Sequence, residues 1–282
     1  MVESRGTLYV VATPIGNLED LTRRAERVLG EVAYIYAEDT RRTRTLLTHI
    51  GVSTRARSLH AHNEQGRVGE LLAALASGDS VALVSDAGTP VVSDPGERVV
   101  LAAAQAGYRV EALPGASAVM AALAVSGLPP LPFVFLGFLP KKSGARRECV
   151  AAYRDRPETL VLFESPQRLA RTLGELNESL GPRRACVARE LTKLHEEVAR
   201  GSLSELAERF AEGVKGEVTL VVEGAEAGAR DEALSDPELD ERIRPLLAAG
   251  LGSREIASRL ASESGRARRD VYARVVALRE ED

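Results

Sequence analysis

SVALVSDAGTPVVSDPG, residues 80–96, is the stretch whose reading decides the fold. Its first seven residues, SVALVSD (80–86), form an almost unbroken apolar run rich in valine, the pattern of a strand buried on both faces. The run ends abruptly in Ser85–Gly96, a turn holding Gly88, Gly96, Pro90, Pro95, Asp86 and Asp94. Glycines let a backbone approach a ligand closely or take positive φ, and prolines hold a turn rigid. A buried strand feeding such a loop is the ligand-bearing unit of an open α/β sheet.

Reading outward, the unit repeats. A helix with Val68, Leu71, Leu72 and Leu75 at helical spacing precedes the run, and a helix over Glu97–Ala106 leads to the strand YRVEALP (108–114). Upstream lie the strands TLYVVAT (7–13) and VAYIYAE (32–38), with a helix carrying Leu21, Ala25, Val28 and Leu29 between them. Apolar strands alternating with helices predict a parallel sheet covered on both faces. The break GLPPLP (127–132) reads as a hinge. After it come FVFLGFL (133–139), TLVLFES (159–165), RACVARE (184–190) and EVTLVVE (217–223), with helices over Gln167–Leu180 and Ser204–Ala211. The fold class is therefore α/β, with consecutive α/β domains at 1–118 and 119–226. The acidic stretch AEAGARDEALSDPELDE, from residue 225, reads as a linker to a small helical domain at 239–282.

In that tail Ser253 is a candidate N-cap, Ile256 and Leu260 share a helix face, and Ser264-Gly265 breaks the helix. A last helix carries Val271, Val275, Val276 and Leu278, with Arg266, Arg268 and Arg269 at its start. The pair is similar to a helix-turn-helix offering basic residues to nucleic acid; a capping bundle or a dimerisation element fits equally.

The chain has 282 residues, 44% hydrophobic and 28% charged, enough to bury a core without staples. Cys149 and Cys186 stand far apart, so neither a disulfide framework nor a zinc site is expected, and both read as buried apolar residues. The N-terminal sequence has no signal-peptide layout and no run reaches membrane-span length, which places the expected compartment in the cytoplasm. A net charge of −4 gives no global pull toward nucleic acid, so such a substrate needs local patches. Candidates are Arg41, Arg42 and Arg44; Lys141, Lys142, Arg146 and Arg147; and Arg266, Arg268 and Arg269. Each alone is also compatible with a solvated surface.

Four loops follow predicted strands, at 12–18, 37–41, 85–96 and 113–118, and the carboxyl ends of parallel strands share one rim. There is no GxGxxG after the first strand and no GxxxxGK[ST] anywhere, so a phosphate cradle for a dinucleotide or a P-loop nucleotide is missing. Asp86 and Asp94 flank the densest loop; carboxylates repel phosphate and suit a cationic ligand, a description that S-adenosylmethionine meets through its sulfonium and amino group.

The strings VATPIGNLED (11–20), AEDTR (37–41), SDAGTPVVSDPG (85–96), ALPGASA (112–118), GFLP (137–140), FESPQR (163–168) and RELTKLHEE (189–197) together resemble the tetrapyrrole methylase superfamily. Within it they are similar to the branch that 2′-O-methylates a cytidine ribose in the decoding region of 16S ribosomal RNA. The likeness covers roughly residues 6–225 without a departure inside the strings, and the tail is its loosest part. It implies S-adenosylmethionine bound in the cleft between two α/β domains. The residues it assigns to the cofactor are Pro14, Ile15, Asp86, Ala87, Gly88, Thr89, Ser117, Ala118, Phe163, Glu164 and Thr219. It also implies a homodimer, 16S RNA of the small ribosomal subunit as partner, no membrane, and a tail that contacts RNA.

A ribose hydroxyl is a weak nucleophile, so a base or a stabiliser of the developing alkoxide is expected beside it. Lys193, Asp39 and Glu190 are the candidates, Lys193 on condition that burial lowers its pKa. Arg41 and Glu164 are weaker choices, Asp39–Arg41 also reads as a structural ion pair, and His195 as a surface neighbour. No metal-ligand spacing is visible, so no metal is expected. Two other readings stay open. One is a methyltransferase of this fold acting on a small tetrapyrrole, which predicts fewer arginines near the rim than EDTRRTR supplies. The other is a non-enzymatic nucleic-acid-binding protein, which leaves the four rim loops without a role.

Overall fold

The computed structural model describes residues 5–225, 234–264, 266 and 268–281. Two compact units are present: one runs to Ala151 and resumes over Glu158–Glu223, the other comprises Ala152–Pro157 and the chain from Gly224. The first unit holds both sheets.

Strands β1 (Thr7–Val11), β2 (Tyr34–Ala37), β3 (Ala56–Ser58), β4 (Val81–Val84) and β5 (Arg109–Leu113) form an all-parallel sheet in the order β3-β2-β4-β1-β5. Val11 pairs with Val84 and Leu113, and Ala37 pairs with Val84 and Ser58, so the strand ends stand in one row. Every loop leaving that row starts at the same height, which makes the rim expected from the sequence. The apolar character of the central strands β1, β2 and β4 follows from two covered faces. One face sets Val11, Val84 and Leu113 against Ala25, Val28 and Leu29 of α1 (Arg23–Glu31). The other sets Leu8, Tyr36, Val81 and Leu83 against Leu71 and Leu75 of α3 (Glu64–Ala76) and Val99 and Ala103 of α4 (Glu97–Gln105), with α2 (Thr40–His49) preceding them in the chain.

After α5 (Ala118–Ser126) a second, mixed sheet follows: β6 (Phe133–Phe138), β7 (Thr159–Glu164), β8 (Arg184–Arg189), β9 (Glu197–Ser202) and β10 (Val218–Val222), ordered β6-β7-β10-β8-β9. β6 and β7 are parallel and the remaining pairs antiparallel. Val119, Ala122 and Leu123 of α5 pack on Val161, Cys186, Ala188 and Val221, with Ile15 and Leu191 joining the same cluster. Helices α6 (Ser143–Ala151), α7 (Leu169–Leu180) and α8 (Leu203–Arg209) complete the unit. Cys186 is buried as expected, whereas Cys149 is only half-buried.

The second unit holds α9 (Asp236–Ala248), α10 (Ser253–Glu263) and α11 (Arg268–Glu281) around Leu239, Ile243, Ile256, Leu260, Val271, Val275 and Leu278. Two expectations are corrected here. Residues 236–238, read as linker for their acidity, open α9 because Glu238 accepts from the Ser235 amide at 2.8 Å, and acids favour a first helical turn. Gly252, not Ser253, is the N-cap of α10, and the Ser253 hydroxyl accepts from Arg279 at 3.2 Å instead. The linker proper, 226–233, and the break residue Gly265 lie outside the described residues, as do residues 1–4 of the N-terminal reading.

Gly96, which starts α4, has φ 130°, and a Cβ there would sit 2.6 Å from Leu83 Cδ2. Gly96→Ala is expected to cost about 1–3 kcal/mol through strain and overpacking, read as a lower midpoint in urea unfolding.

Candidate functional site

The row of strand ends is locked by backbone pairing between loops. Thr13 N donates to Gly88 O at 2.9 Å and Gly88 N donates to Thr13 O at 3.0 Å, an isolated antiparallel bridge. The Thr13 hydroxyl donates to Ser85 O at 3.1 Å and the Ser85 hydroxyl to Gly88 O at 2.9 Å. On the far side the buried Glu64 carboxylate accepts from Gly96 N at 3.2 Å and Arg98 N at 2.8 Å, holding the other end of the central loop. Between these anchors Val91 and Ser93 take φ 74° and 67°. A β-branched residue at positive φ is strained, and such strain persists only where surrounding contacts over-determine it.

Below this loop opens a cavity of about 670 Å³, bounded by rim loops of the parallel sheet and by strands of the mixed one. Of the residues assigned to the cofactor, Ile15, Asp86, Ala87, Gly88, Thr89, Ser117, Ala118, Phe163, Glu164 and Thr219 line it, and Pro14 does not. Ser117 also caps α5, its hydroxyl facing Met120 N at 3.5 Å. Phe135 and Phe163 meet edge to face at 4.9 Å, and Phe138 and Phe163 lie 5.5 Å apart, giving the cavity an aromatic wall. The Glu164 carboxylate is fully engaged: Arg168 Nε donates to it at 2.8 Å, the Thr172 hydroxyl at 2.6 Å and Ser165 N at 2.7 Å. It fixes the turn that follows Phe163 at the end of β7.

Glu38, Asp86 and Asp94 all border the cavity, and Arg42 approaches Asp86 at 3.6 Å. Burial, then the charges of Glu38 and Asp86, push the Asp94 carboxyl up to about 6. Three carboxylates held this close repel one another, and a cation entering the cavity relieves the repulsion. The carboxylates therefore fit the sulfonium and ammonium groups of S-adenosylmethionine, and the Phe135–Phe163 pair fits its apolar and ring portions. Sequence reasoning saw Asp94 only as a flank of the loop; its half-buried place beside two other carboxylates comes from loops at 37–41 and 85–96 meeting in space.

The three catalytic candidates are not among the residues lining the cavity. Asp39 is the N-cap of α2, accepting from Arg41 N and Arg41 Nη2, both at 2.8 Å, and Arg41 holds its carboxyl far below the usual range. The cavity-lining carboxylate of that string is Glu38. Lys193 Nζ donates to Glu190 at 2.7 Å and Glu217 at 3.1 Å. Burial works to lower the Lys193 pKa, but those hydrogen bonds outweigh it and the net shift is upward, against the expectation of a lowered lysine. Glu190 is shifted downward, chiefly by Lys193. The triad ties the 190–193 loop to Glu217, which does border the cavity. His195 is exposed, as expected of a surface neighbour.

Of the basic residues, Arg42 borders the cavity, while Arg41 and Arg44 are exposed on the same helix. Lys141, Lys142 and Arg147 are exposed, but Arg146 is 2% exposed, paired with Glu175 and donating to Pro140 O at 2.9 Å. It braces the α6–α7 packing instead of offering its charge to a substrate. In the helical unit Arg266 pairs with Asp236 and Arg269 with Asp270, and Arg268 is exposed.

The fold is that of a methylase, and the chain belongs to the family of tetrapyrrole (corrin/porphyrin) methylases, whose sequence profile matches residues 7–207. Its curated relatives narrow the placement to the proteins named ribosomal RNA small subunit methyltransferase I. The one from Synechocystis sp. is 45% identical, covering 95% of this chain and 96% of the relative. The one from Xylella fastidiosa is 46% identical, covering 95% and 98%. Among solved structures, uroporphyrin-III C-methyl transferase from Thermus thermophilus complexed with S-adenyl homocysteine superposes with a TM-score of 0.56 at 22% identity, covering 78% of this chain and 98% of that one. At that identity the likeness shows the fold alone.

A carboxyl raised from 3.8 to about 6 binds its proton more tightly folded than unfolded, so its contribution to stability falls as pH climbs between those values. Without ligand, Asp94→Asn is expected to match the parent protein near pH 4 and to exceed it in melting temperature above pH 6. A difference independent of pH would contradict the assignment.

Proposed function

We propose that this protein 2′-O-methylates a cytidine ribose in the decoding region of 16S ribosomal RNA, taking the methyl group from S-adenosylmethionine bound in the 670 Å³ cavity. The observation that carries the reading is the cluster of Glu38, Asp86 and Asp94 on the wall of a cavity bordered by Arg42: carboxylates for a cationic donor, an arginine for an anionic polymer. S-adenosylmethionine, when bound, supplies a methyl already activated by its sulfonium charge. Asp94 and Asp86 hold its cationic groups; Ile15 and Phe163 shape the apolar walls. Positioning of the ribose hydroxyl then supplies most of the acceleration. Its proton goes to Glu38, in the role expected of Asp39, which Arg41 occupies instead. Lys193 and Glu190 act at a remove, setting Glu217 at the cavity edge.

Arg41, Arg42 and Arg44 and the exposed Lys141, Lys142 and Arg147 position the RNA through its phosphates, so binding weakens with salt. The small ribosomal subunit as the assembled substrate, a homodimeric state, a cytoplasmic location and RNA contact by the helical domain at 239–282 belong to the same proposal. Among the described residues no helix is long and apolar enough to cross a membrane. The tetrapyrrole alternative is disfavoured by the arginines of α2 beside the cavity, and a purely binding protein by the cavity itself.

Small ribosomal subunits from a strain lacking the enzyme, incubated with the protein and methyl-labelled S-adenosylmethionine, are expected to gain one methyl on a ribose, mapped by mass spectrometry; methyl on a base, or none, would overturn the reading. Asp94→Asn is expected to weaken S-adenosylmethionine binding by about 2 kcal/mol or more, roughly 30-fold, and the parent affinity to drop as pH falls through about 6. Unchanged calorimetric affinity in the variant would remove Asp94 from the site.

A further inference from the structure

Phe138 is a large ring left 60% exposed at the cavity wall, and the chain spends backbone irregularity to put it there. The β6–β7 pairing shifts register between Phe135 and Phe138, and Gly137 inside the shift has φ 62°. A Cβ on Gly137 would come 3.1 Å from the Ser93 hydroxyl, so the bulge is seated directly against the strained central loop. Phe163 supports the Phe138 ring from one side at 5.5 Å, leaving the remainder open. Met120 and Val92, 56% and 44% exposed, border the same cavity, so the ring stands at an apolar mouth. Three and four residues further on, Lys141 and Lys142 are exposed cations.

An exposed aromatic ring beside a cavity, followed closely by two free-standing lysines, has the composition of a single-stranded nucleic-acid platform: a base stacks on the ring and the flanking phosphates meet the cations. The ring also answers a geometric need, because a ribose reaching into a cavity carries its base out of the helical stack, and the lost stacking has to be replaced. We propose that Phe138 is the stacking platform for the nucleobase of the nucleotide being methylated, with Lys141 and Lys142 holding the adjoining phosphates. This rests on the ribose-methylation reading above.

The test uses the full-length protein, unmethylated small ribosomal subunits and four variants, Phe138→Ala, Phe138→Leu, Phe138→Tyr and Phe138→Trp. Loss of one base–aromatic stack is expected to raise the RNA KM or lower kcat/KM by at least ~10-fold in Phe138→Ala and Phe138→Leu, which is about 1.4 kcal/mol. Tyr and Trp should restore the parent value, and calorimetric affinity for S-adenosylmethionine should stay within about twofold in all four. Phe138→Leu keeps apolar bulk, so it reports even where Ala fails to fold. Parent-like kcat/KM in Phe138→Leu would overturn the proposal. So would a matching loss of cofactor affinity, which assigns the ring to the cofactor, or a changed sedimentation coefficient, which assigns it to a second chain. If the parent protein itself methylates no ribose, the functional reading fails first and the platform with it; if the parent is active and the variants match it, only the platform fails.

Discussion

Thr13 and Gly88 exchange two backbone hydrogen bonds, and nearly everything about the cavity depends on that exchange. A loop leaving a parallel strand has no ladder to continue into, so its polar backbone must find partners or face water. Here the first and third rim loops satisfy each other, with the Ser85 and Thr13 hydroxyls closing the remaining gaps. The central loop, thus anchored at Gly88 and again by Glu64 at Gly96, is forced through Val91 and Ser93 at positive φ. The strain lies between fixed points, which is what keeps Asp94 turned toward two other carboxylates in spite of their repulsion. A cationic ligand is the natural relief of that arrangement.

Stability and binding therefore pull in opposite directions at one residue. The charge cluster disfavours the ligand-free fold above the pKa of Asp94 and, in the proposed binding mode, favours the liganded one. Like charges gathered on one cavity wall are an expected feature of a site shaped for its ligand before its own comfort. The core beneath is ordinary by contrast, two helical layers on a five-stranded parallel sheet, with strand ends in a single row.

Much of this was legible in the sequence, for identifiable reasons. The central strands β1, β2 and β4 announce themselves because two covered faces demand apolar runs, the edge strand β5 by its place between a helix and a rim loop, and the rim loops because glycine and proline mark turns. β3 and β9 escaped: three residues, Ala56–Ser58, and the charged, small EVARGS of Glu197–Ser202 have no apolar period to read. α5, AVMAALAVS, is apolar on nearly every side, so no amphipathic period distinguishes it. At the site, ten of the eleven assigned cofactor residues line the cavity, because the motif strings fix local loop shape. What the strings do not encode is which side chain pairs with which. Asp39 is consumed by Arg41, Lys193 by Glu190 and Glu217, and Arg146 by Glu175, all contacts between charged groups that look equally available in a linear sequence.

On the proposed reading, the cavity under the Thr13–Gly88 bridge is the seat of a sulfonium cofactor. A crystal structure of the protein grown with saturating S-adenosylmethionine tests it most directly. The ligand is expected between Ile15, Ser117 and Phe163, with its ammonium or sulfonium toward Asp94 and Asp86. A ligand bound elsewhere on the chain, or one lying with both cationic groups away from those two carboxylates, would contradict it.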